Sequence, residues 1–331
     1  MLKINASLVT HHSSLVLLCA ICFGPAWPAA AQQYPNRPIR LIVPSTPGGS
    51  VDTLARTIGP KLTERWGQQI IVDNRAGAGG AIAGELVAKS LPDGYLVMLG
   101  TISSLATNVS LQKKLPYDPI RDFAPVTLVA TQNLMLVVHP SVPAKTVKEL
   151  VRFAKSQPGK LSFASAGNGT GSHLSGELFK QVASVDILHI PYKGVVPAMM
   201  DVISGQVAIN FPSILSALPH VRSGRARALA VTGAKRTRAA PEIPTMQEAG
   251  IKDYESMTWY GIVVPAGTPQ DIVTKLSAEV AAILHQPETH ERLSREGADP
   301  AGSTPQEFGR FMQSEIEKWR KVIRAAGIQP S

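Results

Sequence analysis

The segment at residues 39–72, IRLIVPSTPGGSVDTLARTIGPKLTERWGQQIIV, decides the fold because it holds one complete strand–loop–helix–strand unit. Its apolar and β-branched runs predict strands at 39–43 and 70–72, with a helix at 51–66 between them. Two strands joined by a helix of this length pair in parallel through a right-handed crossover. Ligands of such sheets bind beyond the carboxyl ends of the strands, which is where the loop at 44–50 lies.

The same alternation of short strands and helices runs through most of the chain and predicts an α/β protein. Two extended stretches interrupt it: one at 123–130, which leads into the strand at 134–138 after only three residues, and one at 255–264. We interpret them as two crossings between lobes. A chain of about 300 residues is also more than one compact core usually takes. Further strands are predicted at 95–99, 134–138, 161–164, 187–190, 207–209 and 226–231, and further helices at 84–89, 147–155, from 172, at 270–285 and at 305–326.

The first residues have the order of a secretory signal peptide. Lys3 precedes the apolar run at 15–23, and small residues follow up to Ala31. We predict a signal peptide at 1–31, cleaved after Ala31, and a soluble periplasmic product. The alternative, an uncleaved anchor, is disfavoured because a membrane-spanning helix needs about 20 apolar residues. Both cysteines, Cys19 and Cys22, lie in this leader, so the mature chain has no disulfide, thiolate nucleophile or cysteine metal site.

The charge of the chain suits an anionic ligand. The formal net charge is +9, and loss of Lys3, the only charged residue of the leader, leaves +8. The densest basic group is either a solvated face or a nucleic-acid patch, and the absence of interleaved aromatic residues favours the solvated face. We therefore expect no nucleic-acid partner. The basic group consists of Arg222, Arg225, Arg227, Lys235, Arg236 and Arg238.

The glycine-rich segment at 163–174, FASAGNGTGSHL, lacks the motifs of several enzyme classes. Ser172 stands where a dinucleotide-binding fingerprint needs its third glycine. No GxxxxGK[ST] phosphate loop and no GxSxG nucleophile elbow occurs anywhere in the sequence. His285 and His290 are five residues apart, which is a poor helical spacing for a shared metal ion. We therefore predict no catalytic residue, no metal and no cofactor.

The backbone amides are then the groups of this segment that can bind a ligand. The loop at 165–171 can hold a carboxylate at a helix start, or its glycines merely permit a tight turn. The loop Ser45-Thr-Pro-Gly-Gly49 is its counterpart after the first strand, so two loops can close on one anion. Asp52 is either a helix cap or a site residue, and we favour the cap. A third glycine-rich segment, at 74–80, is interpreted as close packing of the next helix, although Arg75 could lie near the cleft.

Five segments give the chain a family resemblance: YPNRPIRLIVPSTPGGSVDTLAR, VDNRAGAGGAIAGELVAKSLPDGY, PYDPIRDFAPVTLVA, IPYKG and PTMQEAG. In this order they resemble the Bug-type solute receptors of tripartite tricarboxylate transporters. The resemblance implies a two-lobed periplasmic binding protein of type II, a Venus flytrap with a parallel or mixed sheet in each lobe. It further implies a receptor without enzymatic activity that delivers a small organic carboxylate to a two-subunit membrane permease. A signalling receptor and a secreted enzyme acting on carboxylates are the alternatives.

The resemblance also assigns residues and lobes. Lobe 1 is expected at 32–131 plus 257–331 and lobe 2 at 132–256, in a monomer. Asp201 either contacts the ligand or orients the structure around it. Trp259 and Tyr260 fit hinge or core packing better than ligand stacking. The further positions expected to line the ligand site, to which the amide argument above adds Gly169, are Ser45, Thr46, Gly48, Gly49, Thr101, Asn108, Ala166, Gly167, Thr170 and Ser172.

One of these positions departs from the family pattern. Many family members carry an aromatic residue where this chain has Ser45. A small polar side chain there implies a roomier and wetter pocket. The ligand of any one family member is therefore an unsafe guide to the ligand of this chain.

Overall fold

The computed structural model describes residues 34–330, and the chain from Arg37 onwards forms one compact unit. The opening segment folds as predicted, with β1 (Ile39–Val43), α1 (Ser50–Trp66) and β2 (Ile70–Asn74). Gly67 explains why α1 ends at Trp66. It adopts the left-handed conformation, and its N–H bonds to the carbonyl of Thr63. The signal peptide and its cleavage site lie outside the described residues.

Most of the remaining elements match predicted ones, with boundaries that differ by one to three residues. The helices at 108–111, 195–203, 214–222 and 287–295 and the strand at 298–300 were not predicted. The remaining elements are a 3-10 turn (Ala78–Gly80), α2 (Ala81–Ala88), β3 (Leu96–Thr101), a π-helical turn (Ser103–Thr107), α3 (Asn108–Leu111), β4 (Phe123–Asn133), β5 (Met135–Val138), α4 (Val147–Ser156), β6 (Ser162–Ser165), α5 (Gly171–Ala183), β7 (Leu188–Pro191), α6 (Val195–Ile203), β8 (Ile209–Asn210), α7 (Ile214–Arg222), β9 (Arg227–Val231), β10 (Met257–Pro265), α8 (Gln270–Leu284), α9 (Pro287–Arg295), β11 (Ala298–Pro300) and α10 (Pro305–Ala325).

The strands form two mixed sheets. The first has the order β11-β4-β10-β3-β1-β2 and the second the order β7-β6-β8-β5-β9. The predicted parallel pairing holds for β1 with β2 and β3, and for β6 with β7 and β8. The other pairs are antiparallel, so the sheets are mixed rather than wholly parallel. β5 follows β4 directly, and β10 follows β9 without an intervening helix, so neither strand enters its sheet through the crossover that parallel pairing requires.

The chain changes sheet within two neighbouring strands. β4 belongs to the first sheet and ends at Asn133, and β5 of the second sheet begins at Met135. The return strand, β10, runs antiparallel along the whole of β4, from the pair Met257 with Asn133 to the pair Pro265 with Phe123. The two connections between the sheets therefore lie side by side.

Each sheet has its own apolar core. In the first, Trp259 of β10 is 1% exposed and packs against Phe308 of α10, and its Nε1 donates to Glu315 on that helix at 2.8 Å. In the second, Phe163 of β6 and Phe211 pack edge to face. Trp259 is therefore a core residue, as the sequence favoured, and it holds α10 on the first sheet. No helix within residues 34–330 combines the length and the apolarity needed to cross a membrane.

Candidate functional site

A cavity of about 500 Å³ lies where the parallel strands of both sheets end. The residues that follow the carboxyl ends of β1, β3, β6, β7 and β8 all contribute to its lining. This is the position at which open α/β sheets bind their ligands. A volume of this size suits a small metabolite.

The cavity brings together most of the predicted site residues. Four of them, Gly48, Asn108, Gly169 and Asp201, lie outside the lining. The eight that line the cavity are Ser45, Thr46, Gly49, Thr101, Ala166, Gly167, Thr170 and Ser172.

Three of the excluded residues hold the lining in place from behind. The N–H of Gly48, at a positive φ of 85°, donates to Asp52 Oδ2 at 2.9 Å. Asn108 is buried, and its Nδ2 donates to the carbonyl of Gly79 at 3.1 Å. Asp201 accepts a 2.5 Å hydrogen bond from the hydroxyl of Tyr192, which does line the cavity. Of the two roles open for Asp201, the structure therefore supports the orienting one.

Gly169 corrects the expectation that its amide faces the anion. Its N–H donates to His173 Nδ1 at 3.1 Å, and its carbonyl accepts a 2.7 Å hydrogen bond from Thr107 Oγ1. A Cβ added at Gly169 would lie 2.5 Å from Leu111 Cδ1, so the residue packs against α3 and not against the cavity. The sequence shows how many amides the loop has, but not which of them already have an acceptor.

Hydroxyl groups line the loop side of the site. Thr170 Oγ1 accepts from the N–H of His173 and caps α5, and it donates to the carbonyl of Gly167 at 2.7 Å. Ser172 Oγ accepts from the N–H of Ala166 at 2.9 Å and lies 3.0 Å from Thr170 Oγ1. The loop is thus folded around its own hydroxyls, whereas the first amides of α5 have no acceptor within the helix.

Five helices begin at the cavity. Residues of the first turns or caps of α1, α2, α5, α6 and α7 all belong to its lining. Each helix N-terminus carries about half a positive elementary charge, together with backbone N–H groups that lack an intrahelical partner. Their convergence makes the interior favourable for a negatively charged ligand and unfavourable for a cation.

The charges of the lining side chains also favour a negatively charged ligand. Among the described residues that line the cavity, Lys193 alone has a charged side chain, and no carboxylate lines it. The nearby Asp52 does not line it. Burial by itself raises the pKa of Asp52, but hydrogen bonds from Arg56, Gly48 and Asn74 outweigh burial and hold this pKa below its ordinary value. The cap role that the sequence favoured for Asp52 is wrong, because Gly49 is the cap residue of α1 and no side chain caps this helix. Asp52 lies in the first turn instead, and it fixes the preceding loop by accepting the N–H of Gly48.

Sequence analysis missed several lining residues. Tyr192, Lys193 and Gly194 follow β7, and the segment at 211–213 follows β8. The strand-end rule applied above to β1 would have found both. Tyr260, assigned to hinge or core, is buried and also lines the cavity, and its hydroxyl donates to Gln132 Oε1 at 3.0 Å.

The third glycine-rich segment has two roles. Its residues 76–80 line the cavity, which the sequence did not predict. Gly80, at a φ of 89°, also allows the close packing that was predicted, because a Cβ there would lie 3.0 Å from Pro44 Cβ and 3.1 Å from Ser104 Cβ. Arg75 is not in the lining and pairs with Asp73 instead.

The loops of the two sheets contact each other directly around the cavity. Ser50 Oγ, at the start of α1, donates to Ser213 Oγ, the cap of α7, at 2.7 Å. Gly194 approaches the loop after β1 so closely that a Cβ on it would lie 3.1 Å from Thr46 Oγ1. Within residues 34–330 no cluster of three or more His, Cys, Asp or Glu side chains is suited to hold a metal ion.

Known proteins share this architecture. Residues 54–328 match the family described as "Tripartite tricarboxylate transporter family receptor". The protein BugT of Bordetella pertussis is 37% identical over 92% of this chain and 94% of its own. A structure of an R. palustris protein with adipate is 39% identical, with a TM-score of 0.88 over 90% of this chain and all of that one. The structure of MatC from Rhodopseudomonas palustris with bound malate is 33% identical, with a TM-score of 0.82 over 88% of this chain and all of that one.

These likenesses confirm the two-lobed, type II binding-protein fold and the Bug-type resemblance of the five sequence segments. The family match covers most of the chain, including every strand of both sheets except β1. The chain therefore belongs to the receptor family of the tripartite tricarboxylate transporters, as a solute-binding receptor.

Proposed function

We propose that this receptor captures a small carboxylated metabolite in the cavity and delivers it to a two-subunit membrane permease. The observation that carries the proposal is the convergence of five helix N-termini and Lys193 on a cavity whose described lining includes no carboxylate. A carboxylate gains charge-assisted hydrogen bonds in such a place, whereas a neutral sugar or a cation does not. The ligands in the two related structures, adipate and malate, support the same class of molecule.

The proposed mechanism is closure of the two lobes around the anion. We assign lobe 1 to residues 32–133 plus 257–331 and lobe 2 to 134–256. The first boundary lies two residues beyond the one expected from the sequence, because β4 of the first sheet continues to Asn133, and the second boundary agrees with the return at β10. A ligand shifts an open–closed equilibrium only by its differential affinity for the two forms. Contacts to both lobes supply that difference, and the permease then accepts the closed, loaded receptor. The proposed role includes no chemical step.

The ligand contacts are proposed for the lining residues and not for the four residues behind them. On lobe 1 these are Ser45, Thr46, Gly49 and Thr101. On lobe 2 they are Ala166, Gly167, Thr170 and Ser172, to which Lys193 adds a positive charge.

The receptor is proposed to act as a monomer in the periplasm after removal of residues 1–31. Mass spectrometry of the exported protein is then expected to find a chain that begins at Gln32. A membrane-bound chain that retains Met1 would contradict this part of the proposal.

A thermal-shift screen tests the ligand class. A ligand at about 100 times its Kd stabilises the folded form by about 2.7 kcal/mol, which raises the Tm measurably. We expect mono-, di- or tricarboxylates such as adipate or malate to raise the Tm, and sugars, nucleotides and cations to leave it unchanged. Thr170→Val is expected to reduce the shift, while Thr274→Val, the same change on an exposed face of α8, is the matched control. Stabilisation by a neutral sugar and by no carboxylate would refute the proposal.

A further inference from the structure

Three stacked rings lie behind the glycine-rich loop at 165–171. The ring of Phe163 stacks on that of His189, with centroids 4.8 Å apart, and His189 stacks on His173 at 4.0 Å. Phe163 and His173 are buried, and His189 is partly buried. Gly176 lets α5 approach this stack, because a Cβ there would lie 2.1 Å from Phe163 Cε2. None of the three rings lines the cavity.

Each histidine bonds to a different part of the loop. His173 Nδ1 accepts the N–H of Gly169 at 3.1 Å, so this nitrogen carries no proton. His189 Nε2 lies 2.6 Å from Ser165 Oγ, where either atom can donate. Ser165 Oγ in turn accepts the N–H of Gly167 at 3.1 Å. The two rings thus fix the start and the end of the loop that leads into α5.

Both rings are kept neutral by their surroundings. Burial, then the neighbouring His189 and then Lys180, lower the pKa of His173 to about 3. Burial and then Lys180 lower the pKa of His189 to about 4. The carboxylate of Glu177 faces His173 Nε2 at 3.9 Å and is itself bound by Lys180 at 2.9 Å. A neutral ring is what the contact to Gly169 requires, since a protonated Nδ1 cannot accept.

We propose that His173 and His189 are positioning residues that hold the loop in the shape in which Ala166, Gly167 and Thr170 meet the ligand. The proposal rests on the proposed function, because the loop is taken to bind the carboxylate. It assigns a role in ligand affinity to two residues that the ligand does not touch. It also explains why these rings are histidines, which packing alone does not, since two phenylalanines would fill the same space.

Matched variants separate hydrogen bonding from packing. His173→Asn keeps an acceptor near the position of Nδ1, whereas His173→Leu keeps the volume and leaves the N–H of Gly169 without an acceptor. His189→Gln keeps a polar atom near Nε2, whereas His189→Phe keeps only the stacking. Two quantities are measured for each variant: the Kd for adipate and for malate by calorimetry, and the amide hydrogen exchange of residues 165–171 without ligand.

We expect His173→Leu and His189→Phe to raise loop exchange and to weaken binding about tenfold or more, as loss of a buried hydrogen bond does. His173→Asn and His189→Gln are expected to stay within about threefold of wild type in both measurements. Equal exchange and equal Kd in the polar and apolar variants would overturn the proposal. If wild type binds neither acid, the Kd is measured for the carboxylate that gives the largest thermal shift. If no carboxylate binds, the proposed ligand class fails, and the exchange data still decide whether the histidines hold the loop.

Discussion

The hydroxyl of Thr107 donates a 2.7 Å hydrogen bond to the carbonyl of Gly169, and this bond joins the π-helical turn after β3 to the loop after β6. The two residues follow strands of different sheets, so the bond connects the loops of the two sheets. The bond between Ser50 and Ser213 does the same at the start of α1. A neutral hydrogen bond contributes only about 0.5–1.5 kcal/mol to stability, so each of these bonds makes a small contribution to the contact between the loops.

Removing the Thr107 hydroxyl is expected to weaken ligand binding without unfolding the protein. Thr107→Val leaves the carbonyl of Gly169 without its donor. Under the proposed closure mechanism this bond forms only when the lobes close, so we expect the closed form to lose about 1–3 kcal/mol and the Kd to rise about fivefold or more. Thr107→Ser keeps the hydroxyl and is expected to bind nearly as wild type. Calorimetry with the carboxylate that gives the largest thermal shift measures the difference. Equal affinities in the two variants would mean that the bond makes no contribution to closure.

The local order of strands and helices could be predicted from sequence because each element carries its own apolar period, as α1 does between β1 and β2. The antiparallel pairing of β4 with β10 could not be predicted, since the partners lie more than 120 residues apart and no local signal specifies their direction. The loops of the site followed from strand ends and glycine content. The sequence does not show which amides of these loops remain free, because the acceptor of the Gly169 N–H is a ring nitrogen on the following helix.

Lys193 is expected to add affinity for anions through its charge. Lys193→Met removes the only cationic side chain of the described lining, so we expect a Kd about three- to tenfold higher, an effect that added salt diminishes. The matched control is Lys155→Met, which is exposed on α4 and does not belong to the lining. Titrations at low and at high salt test this, and a loss in Lys193→Met that salt does not reduce would assign the lysine a role other than charge.

The two buried histidines are expected to make stability depend on pH. In the unfolded chain a histidine binds its proton near pH 6.5, whereas folding lowers the pKa to about 3 for His173 and about 4 for His189. Between these values the unfolded state holds more protons, so acid favours unfolding. Above pH 6.5 the two histidines therefore leave the free energy of unfolding unchanged. Below pH 6.5 this free energy falls as the pH drops towards 4, by about 1.4 kcal/mol per pH unit for each histidine.

Urea denaturation at pH 7, 6 and 5 measures this dependence. The double variant His173→Asn, His189→Gln has no such groups and is expected to show a flatter profile than wild type. The pKa of His220 is also lowered, by burial and then by Arg225. This residue is present in both proteins, so its effect cancels from the comparison. An identical slope in wild type and double variant would show that other groups cause the acid sensitivity.

A side chain at Gly169 is expected to abolish tight binding through contact with the opposite lobe. A Cβ there lies 2.5 Å from Leu111 Cδ1 and 3.0 Å from Thr107 Oγ1, and the φ of 74° adds about 1–2 kcal/mol of backbone strain for alanine. The clash exists only while the loops touch, whereas the strain is present in the open form as well. We expect Gly169→Ala to bind at least tenfold more weakly, and Gly169→Ala with Leu111→Val to regain most of that loss.

Calorimetry on both variants, and on Leu111→Val alone, forms a double-mutant cycle that isolates the contact. A double variant that binds no better than Gly169→Ala would show that the contact with Leu111 does not cause the loss. A Gly169→Ala protein with wild-type affinity would show that the close approach of this loop to Leu111 does not contribute to binding.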